Sequence, residues 1–278
     1  MGFGGLYNLV GLQLPRSFVY WLMTRVDPLS EVFSAPDGLE IPMSKTQVRW
    51  IFGIPHGKKV IPTSGSSADE DMKTLVEDLL SKYGQIWESN HPNSARPAII
   101  TDGIPVNPRF LKRLEGYWEE NEEEEFKTMF LIATLQMVLC PTQCARLSSG
   151  LLYVCTLGKK AREYDWCKLV YDFFMEKVKV FCRDFYTFGW VKGIGGCSLY
   201  LVIFYLGRLK RRPVQWGLCP RSKAWNMEEI KKAKSADRFP GATGDYGYIG
   251  CIDVAYGDNQ HPKAPRVLGT STLLVMKR

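Results

Sequence analysis

The chain has 278 residues, of which 45% are hydrophobic and 23% are charged. This composition excludes collagen-like, low-complexity and wholly disordered chains, and the length suffices to bury a sizeable core. The net charge of +7 is unevenly distributed: residues 1–206 hold 22 basic and 23 acidic groups, whereas residues 207–278 hold 14 basic and 6 acidic groups. The basic excess therefore belongs to the last quarter of the chain.

The N-terminal quarter is predicted to contain two helices around a small β-hairpin. Apolar residues recur at three- and four-residue spacing over residues 14–26, which predicts the first helix. The tripeptide PDG at 36–38 is typical of a hairpin turn. Ser44 and Gln47 then have the spacing of a capping box, which predicts the start of a second helix that Gly53 ends.

The middle of the chain is predicted to be helical beyond a Ser- and Gly-rich linker near residues 62–69. Four prolines over residues 89–108 predict an irregular crossing with a short strand near 99–101. The acidic run at 119–125 is interpreted as a helix start, because the helix dipole favours acids there. Apolar periodicity predicts helices at 71–88, 110–118, 126–139, 165–185 and 198–209.

The predicted fold class is mainly α: a multi-helix globular bundle with a small β-hairpin near the N-terminus and a partly extended basic C-terminal tail. We place a helical domain at residues 1–212 and a basic, Gly-rich, loosely structured extension at 213–278. Within the extension, only residues 227–234 predict a short helix, and glycines recur every three residues from Gly241 to Gly250.

Cysteine spacing and the longest apolar run bear on the compartment. The eight cysteines are spread without a CxxC pair, which favours small buried thiols over a zinc site or a disulfide scaffold. The longest apolar run, Cys197–Leu206, has ten residues, whereas a membrane helix needs roughly 20. We expect a nuclear or cytoplasmic protein without a membrane span. Mitochondrial placement is a minor alternative, because residues 1–26 contain no acidic residue.

Residues with catalytic potential are scarce. The three histidines each lie beside a proline, in contexts typical of surface turns. Cys144, with His91 and Asp102 earlier in the chain, has the order of a cysteine peptidase, and this is the one enzymatic arrangement considered. Gly193–Gly196 lacks the continuation of a phosphate-binding loop. We predict no catalytic residue, no metal ligand and no cofactor.

The basic tail carries the one positive binding signal. Lysines and arginines interleaved with aromatic residues can hold a nucleic-acid backbone without sequence preference, and they also suit an acidic protein surface. A solvated tail with no partner is the third interpretation. The candidate contacts are Arg208, Lys210, Arg211, Arg212, Arg221, Lys223, Trp225, Lys231, Lys232 and Lys234.

Six largely apolar blocks follow one another along residues 2–212. The blocks are GFGGL at 2–6, LPRSFVYWLMTRVDP at 14–28, GLEIPMSKTQVRWIFGIPHGKKVIP at 38–62, FKTMFLIATLQMVLCPT at 126–142, YDWCKLVYDFF at 164–174 and GGCSLYLVIFYLGRL at 195–209. This ordered set resembles the plant mobile domain, an aminotransferase-like, transposon-associated family of grasses. The order of the blocks carries the resemblance rather than any one motif.

The resemblance implies a mainly helical, non-enzymatic protein derived from a transposon. Some captured members of that family are nuclear and support transposon silencing and normal gene expression. No Schiff-base lysine or phosphate cradle of a pyridoxal enzyme is identified here, so no catalytic residue is carried over. We therefore predict a helical module that binds host proteins, with a basic tail that contacts nucleic acid or an acidic partner.

Two alternatives to this function stay open. One is a stand-alone selfish or regulatory protein, of toxin or antidote type, that binds a host protein in the mitochondrion or elsewhere. The other is a cryptic cysteine-dependent enzyme. Homo-oligomerisation is a further hypothesis, because the apolar segments 126–139 and 198–209 are richer than one monomer core requires.

Overall fold

The computed structural model describes residues 1–6, 9, 13–63, 68–84, 87–89, 98–100, 103–142, 146–147, 149–189, 194–215, 217–241 and 245–254. Its α-helices are α1 (Arg16–Met23), α2 (Lys45–Phe52), α3 (Glu70–Tyr83), α4 (Pro108–Leu114), α5 (Glu123–Thr134), α6 (Ser149–Cys155), α7 (Trp166–Phe188), α8 (Ser198–Leu206) and α9 (Met227–Ala236). The strands are β1 (Val26–Asp27), β2 (Val32–Ser34), β3 (Glu40–Pro42), β4 (Trp87–Ser89), β5 (Ala98–Ile100), β6 (Ile104–Pro105) and β7 (Arg146–Leu147).

The predicted mainly helical class is confirmed, and the hairpin near the N-terminus is part of a three-stranded antiparallel sheet. The strand order is β1-β2-β3, and Phe33 of β2 lies opposite both Val26 and Ile41. Strands β4 and β5 form a separate antiparallel pair near the predicted strand at 99–101. In the described parts of the chain, no helix combines the length and apolarity needed to cross a membrane.

The chain divides into two compact units. The central unit comprises Met1 and residues 57–165, and the terminal unit comprises residues 2–56 and 166–278. Each contains helices from the predicted helical domain, and the terminal unit also includes the described part of the predicted extension. The predicted linker near 62–69 lies inside the central unit, and its residues 64–67 lie outside the described residues.

The terminal unit has α8 at its centre. Every residue from Leu199 to Leu206 is buried, and α8 packs on α1, α2 and α9. This burial accounts for the apolar run without a partner chain, so the structure removes α8 as a reason to expect a homo-oligomer. A ten-residue run with apolar side chains on all sides is what a helix surrounded by neighbours requires.

The capping box predicted at the start of α2 is confirmed, and it also anchors the core. Gln47 accepts a hydrogen bond from the Ser44 backbone N–H at 2.9 Å and donates one to the Pro42 carbonyl at 3.0 Å. The Tyr200 hydroxyl of α8 donates to the same Gln47 oxygen at 3.3 Å. The helix ends at Gly53, which has a φ of +65°. The buried Gln47 amide therefore takes part both in the cap of α2 and in the packing of α2 against α8.

The central unit places the acidic run at the start of α5, as predicted. Glu123 and Glu124 pair with Lys127 at 3.0 and 3.1 Å, one turn further along the helix. Glu122 pairs with Arg113 at 2.6 Å, and the Arg113 guanidinium stacks 3.5 Å from the Trp118 ring centroid. The acidic side chains in the first turn of α5 complement the helix dipole, and the ion pairs partly neutralise the charge of the acidic run.

Candidate functional site

The predicted basic contacts begin at the end of α8, where Arg208 is a core residue. It is 1% exposed, its guanidinium stacks 3.8 Å from the Phe204 ring centroid, and its Nη1 donates to the Phe204 carbonyl at 2.9 Å. Burial corrects the prediction for this residue, because a side chain enclosed by its own unit cannot contact a partner. Its position in the helix-end cluster Arg208–Arg212 had suggested a surface residue.

Lys210 is tied to the hairpin turn. Its ammonium pairs with Asp37 Oδ2 at 3.0 Å, and the same oxygen accepts the Cys251 backbone N–H at 3.0 Å. Burial acts to raise the pKa of Asp37, but these hydrogen bonds and the Lys210 charge together hold it below the usual value. Gly250 approaches so closely that an added Cβ would lie 2.8 Å from Asp37 Oδ2. Half-exposed Lys210 is thus already neutralised.

A buried carboxylate, Asp237, fastens the residues that follow α9. It is fully buried and accepts hydrogen bonds from the Tyr205 hydroxyl at 2.5 Å, from Gly247 N–H at 3.0 Å and from Ile249 N–H at 3.1 Å. Nearby, Tyr246 packs its ring against Phe18 of α1 at 4.7 Å between centroids. Residues 237–251 therefore belong to the terminal unit in their described part, which differs from the prediction of a loose extension.

Helix α9 presents the second group of predicted contacts. Its N-cap Asn226 accepts the Glu229 backbone N–H at 2.9 Å, and Ile230 and Ala233 are buried. Lys232 pairs with Glu228 at 2.8 Å and with Glu229 at 3.5 Å, so its charge is used within the helix.

Five of the predicted cations are available to a partner. None of them forms an ion pair among the described residues, and all are exposed or half-exposed. We call this set the basic surface: Arg211, Arg212, Lys223, Lys231 and Lys234. Lys231 and Lys234 are three positions apart and hence on the same side of α9.

The two remaining predicted residues, Arg221 and Trp225, line a small cleft beside the turn after α8. Arg211 and Arg212 of the basic surface also line this cleft, together with apolar groups such as Leu206. Arg221 and Trp225 are each 2% exposed, so the structure corrects their assignment as open contacts. Sequence reasoning did not find the cleft, because residues 206 to 225 approach one another only through the loop after α8.

Two of the described cysteines, Cys197 and Cys251, lie where burial opposes activation of a thiol. Burial raises the pKa of Cys197 and of Cys251 to about 12, which disfavours the reactive thiolate. Cys140 is buried, and His56 is exposed. The predicted peptidase order falls outside the described residues, since His91, Asp102 and Cys144 all lie there, as does His261.

One known protein family matches most of the chain. A family model described as a domain of unknown function, DUF8566, matches residues 1–202. The chain belongs to this family. The matched residues cover the central unit and most helices of the terminal unit, and they end before the buried Arg208. The basic surface lies after the matched residues. No curated protein and no solved structure matches the chain.

Proposed function

We propose that this DUF8566 protein is a non-enzymatic interaction protein whose basic surface binds nucleic acid through its phosphate backbone. The observation that carries the proposal is the pairing state of its cations. Lys210 and Lys232 are neutralised by Asp37 and Glu228, whereas the five cations of the basic surface form no ion pair among the described residues. Unpaired cations release counterions when they meet phosphates, which supplies affinity without base contacts.

The proposal also includes a transposon-derived origin and nuclear placement, supported by the resemblance to the plant mobile domain. The helical units would then bind host proteins in transposon silencing or gene regulation. We favour the nucleus over the mitochondrion because Phe18, Leu22 and Met23 of α1 are buried core residues. Cleaving residues 1–26 as a presequence would remove them from the terminal unit. A fluorescent fusion tests the placement, and a mitochondrial signal would contradict it.

The binding proposal is tested by a gel shift on single- and double-stranded DNA over a range of salt concentrations. The triple variant Lys223→Gln, Lys231→Gln, Lys234→Gln should weaken binding and flatten the plot of log affinity against log salt. Each B-DNA phosphate that the protein no longer neutralises removes roughly 0.9 from that slope, so we expect a change of roughly 2–3 for this variant.

A matched control separates the basic surface from total charge. Lys73→Gln, Lys159→Gln, Lys168→Gln removes the same three charges from lysines that are already paired with acids elsewhere. It should leave the slope near that of the unmodified protein. Equal slopes for both triple variants, or no binding at low salt, would refute the proposal. Binding of an acidic protein but not of DNA would replace nucleic acid with that partner.

A further inference from the structure

The cleft beside the turn after α8 contains a buried hydrogen-bond donor. The Trp225 side chain lines the cleft and is 2% exposed, and its indole Nε1–H has no acceptor among the described residues. Indole N–H is a donor only and, when buried, normally finds an acceptor. A ligand that brings a hydrogen-bond acceptor into the cleft would satisfy this donor.

The walls of the cleft are cationic. Arg221 donates to three carbonyls of the preceding loop, those of Val214 at 2.5 Å, Gln215 at 2.8 Å and Leu218 at 3.1 Å. These hydrogen bonds fix the loop and hold a guanidinium charge in the wall. Arg211 and Arg212 add two further charges that form no ion pair among the described residues. An acceptor in these surroundings is therefore expected to be an anion.

The size of the cleft limits what enters it. Its empty volume is about 220 Å³, which includes space open to solvent. The enclosed part holds roughly one water-sized group, so a single anionic oxygen fits inside while the rest of the ligand stays at the opening. A nucleobase or a larger cofactor does not fit.

We propose that this cleft binds one phosphate group, with a phosphate oxygen accepting the Trp225 indole N–H and Arg211 and Arg212 neutralising its charge. Guanidinium groups match phosphate in geometry and charge. The inference rests on the proposed function in choosing phosphate as the anion, and it identifies where a backbone phosphate would be held most closely. The shared chemistry is a phosphate oxygen, from nucleic acid or from free phosphate.

The test follows the tryptophan indole signals of the ¹⁵N-labelled full chain by NMR during titration with inorganic phosphate, at ionic strength held constant with chloride. The chain has eight tryptophans, and Trp225→Phe identifies the relevant signal. We expect that signal to move saturably. Arg211→Gln, Arg212→Gln should weaken phosphate about tenfold or more, since charged hydrogen bonds are the stronger class. Lys73→Gln, Lys159→Gln removes equal charge from lysines that are paired with acids outside the cleft, and it should leave the phosphate affinity within roughly twofold.

The outcomes separate this site from the proposed function. No saturable movement of the Trp225 signal, or equal weakening by both double variants, would overturn the phosphate site even if DNA still binds. If Trp225→Phe does not fold, sequential assignment identifies the signal and the arginine variants carry the test. A second titration uses a short oligonucleotide. Movement with both ligands supports a nucleic-acid phosphate, whereas movement with inorganic phosphate alone supports a free-phosphate site and leaves the DNA gel shift to decide the proposed function separately.

Discussion

Replacing Asp237 should destabilise the terminal unit, because this one carboxylate accepts three hydrogen bonds. Asp237→Ala leaves the Tyr205 hydroxyl and the Ile249 backbone N–H without their acceptor. The Gly247 N–H loses one of two acceptors, since it also donates to the Asp237 backbone carbonyl at 3.0 Å. Each buried donor left without an acceptor costs roughly 1–3 kcal/mol. Removing a desolvated carboxylate offsets part of that sum, so we expect a net loss of about 2–4 kcal/mol in the free energy of unfolding.

Urea unfolding followed by tryptophan fluorescence measures this loss. Asp245→Ala is the matched control, since Asp245 is exposed and its side chain makes no hydrogen bond or ion pair among the described residues. We expect it to change the free energy of unfolding by less than about 0.5 kcal/mol. If Asp237→Ala costs no more than Asp245→Ala, the hydrogen bonds to Asp237 do not hold residues 237–249 in place and the reasoning fails.

The pH dependence of the free energy of unfolding adds a second test at Asp237. Burial raises the pKa of Asp237 despite the hydrogen bonds from Tyr205, Ile249 and Gly247 that lower it. An unfolded Asp titrates at about 3.9, so this group's contribution to stability is complete below that pH and is lost as the pH rises through the higher folded value. Asp237→Asn does not titrate. The stability advantage of the unmodified protein over it should shrink from pH 4 to pH 7, and an advantage that grows would contradict the assigned direction.

Three further predictions concern packing around the same residues. Gly247→Ala should destabilise by about 1–3 kcal/mol, because Gly247 has a φ of +105° and a Cβ there would lie 2.3 Å from Pro36. Gly241→Ala, also at positive φ but with open space, should cost less in the same urea titration. Cys251 should resist iodoacetamide at pH 8 until the protein unfolds, as peptide mass spectrometry would show, because burial raises its pKa to about 12. A chain truncated after residue 206 should lose the cooperative thermal transition of the terminal unit, since α9 would no longer cover α8 and Tyr246 would no longer cover Phe18 and Trp21 of α1; an unchanged transition would contradict the packing described.

Predictions from local sequence succeeded where the cause is local. The Ser44–Gln47 capping box and its Gly53 stop depend on residues within one or two turns, and both lie at the predicted positions. The boundaries of longer helices were less exact. α3 was predicted to reach Glu88, but it ends at Tyr83 because Gly84 takes an extended conformation.

Burial of charged and aromatic residues could not be predicted in the same way. Arg208 and Lys210 stand two residues apart in one basic run, yet the first stacks on Phe204 in the core and the second pairs with Asp37 across 173 residues of chain. Trp225 fits a stacking platform by composition but is enclosed in the terminal unit. Such differences depend on contacts far apart in sequence, which residue type and spacing do not encode.

The amino-acid sequence by itself determined the helical class, the small sheet near the N-terminus and the location of the basic excess after residue 206, because periodicity, turn chemistry and charge are properties of neighbouring residues. Only the tertiary structure decided which of those charges are available. Long-range contacts neutralise Lys210, bury Arg208 and Arg221 and fasten Asp237, while the basic surface keeps its cations without ion pairs among the described residues. A charge acts on a partner only if the fold leaves it exposed and uncompensated, and that is set by packing rather than by composition.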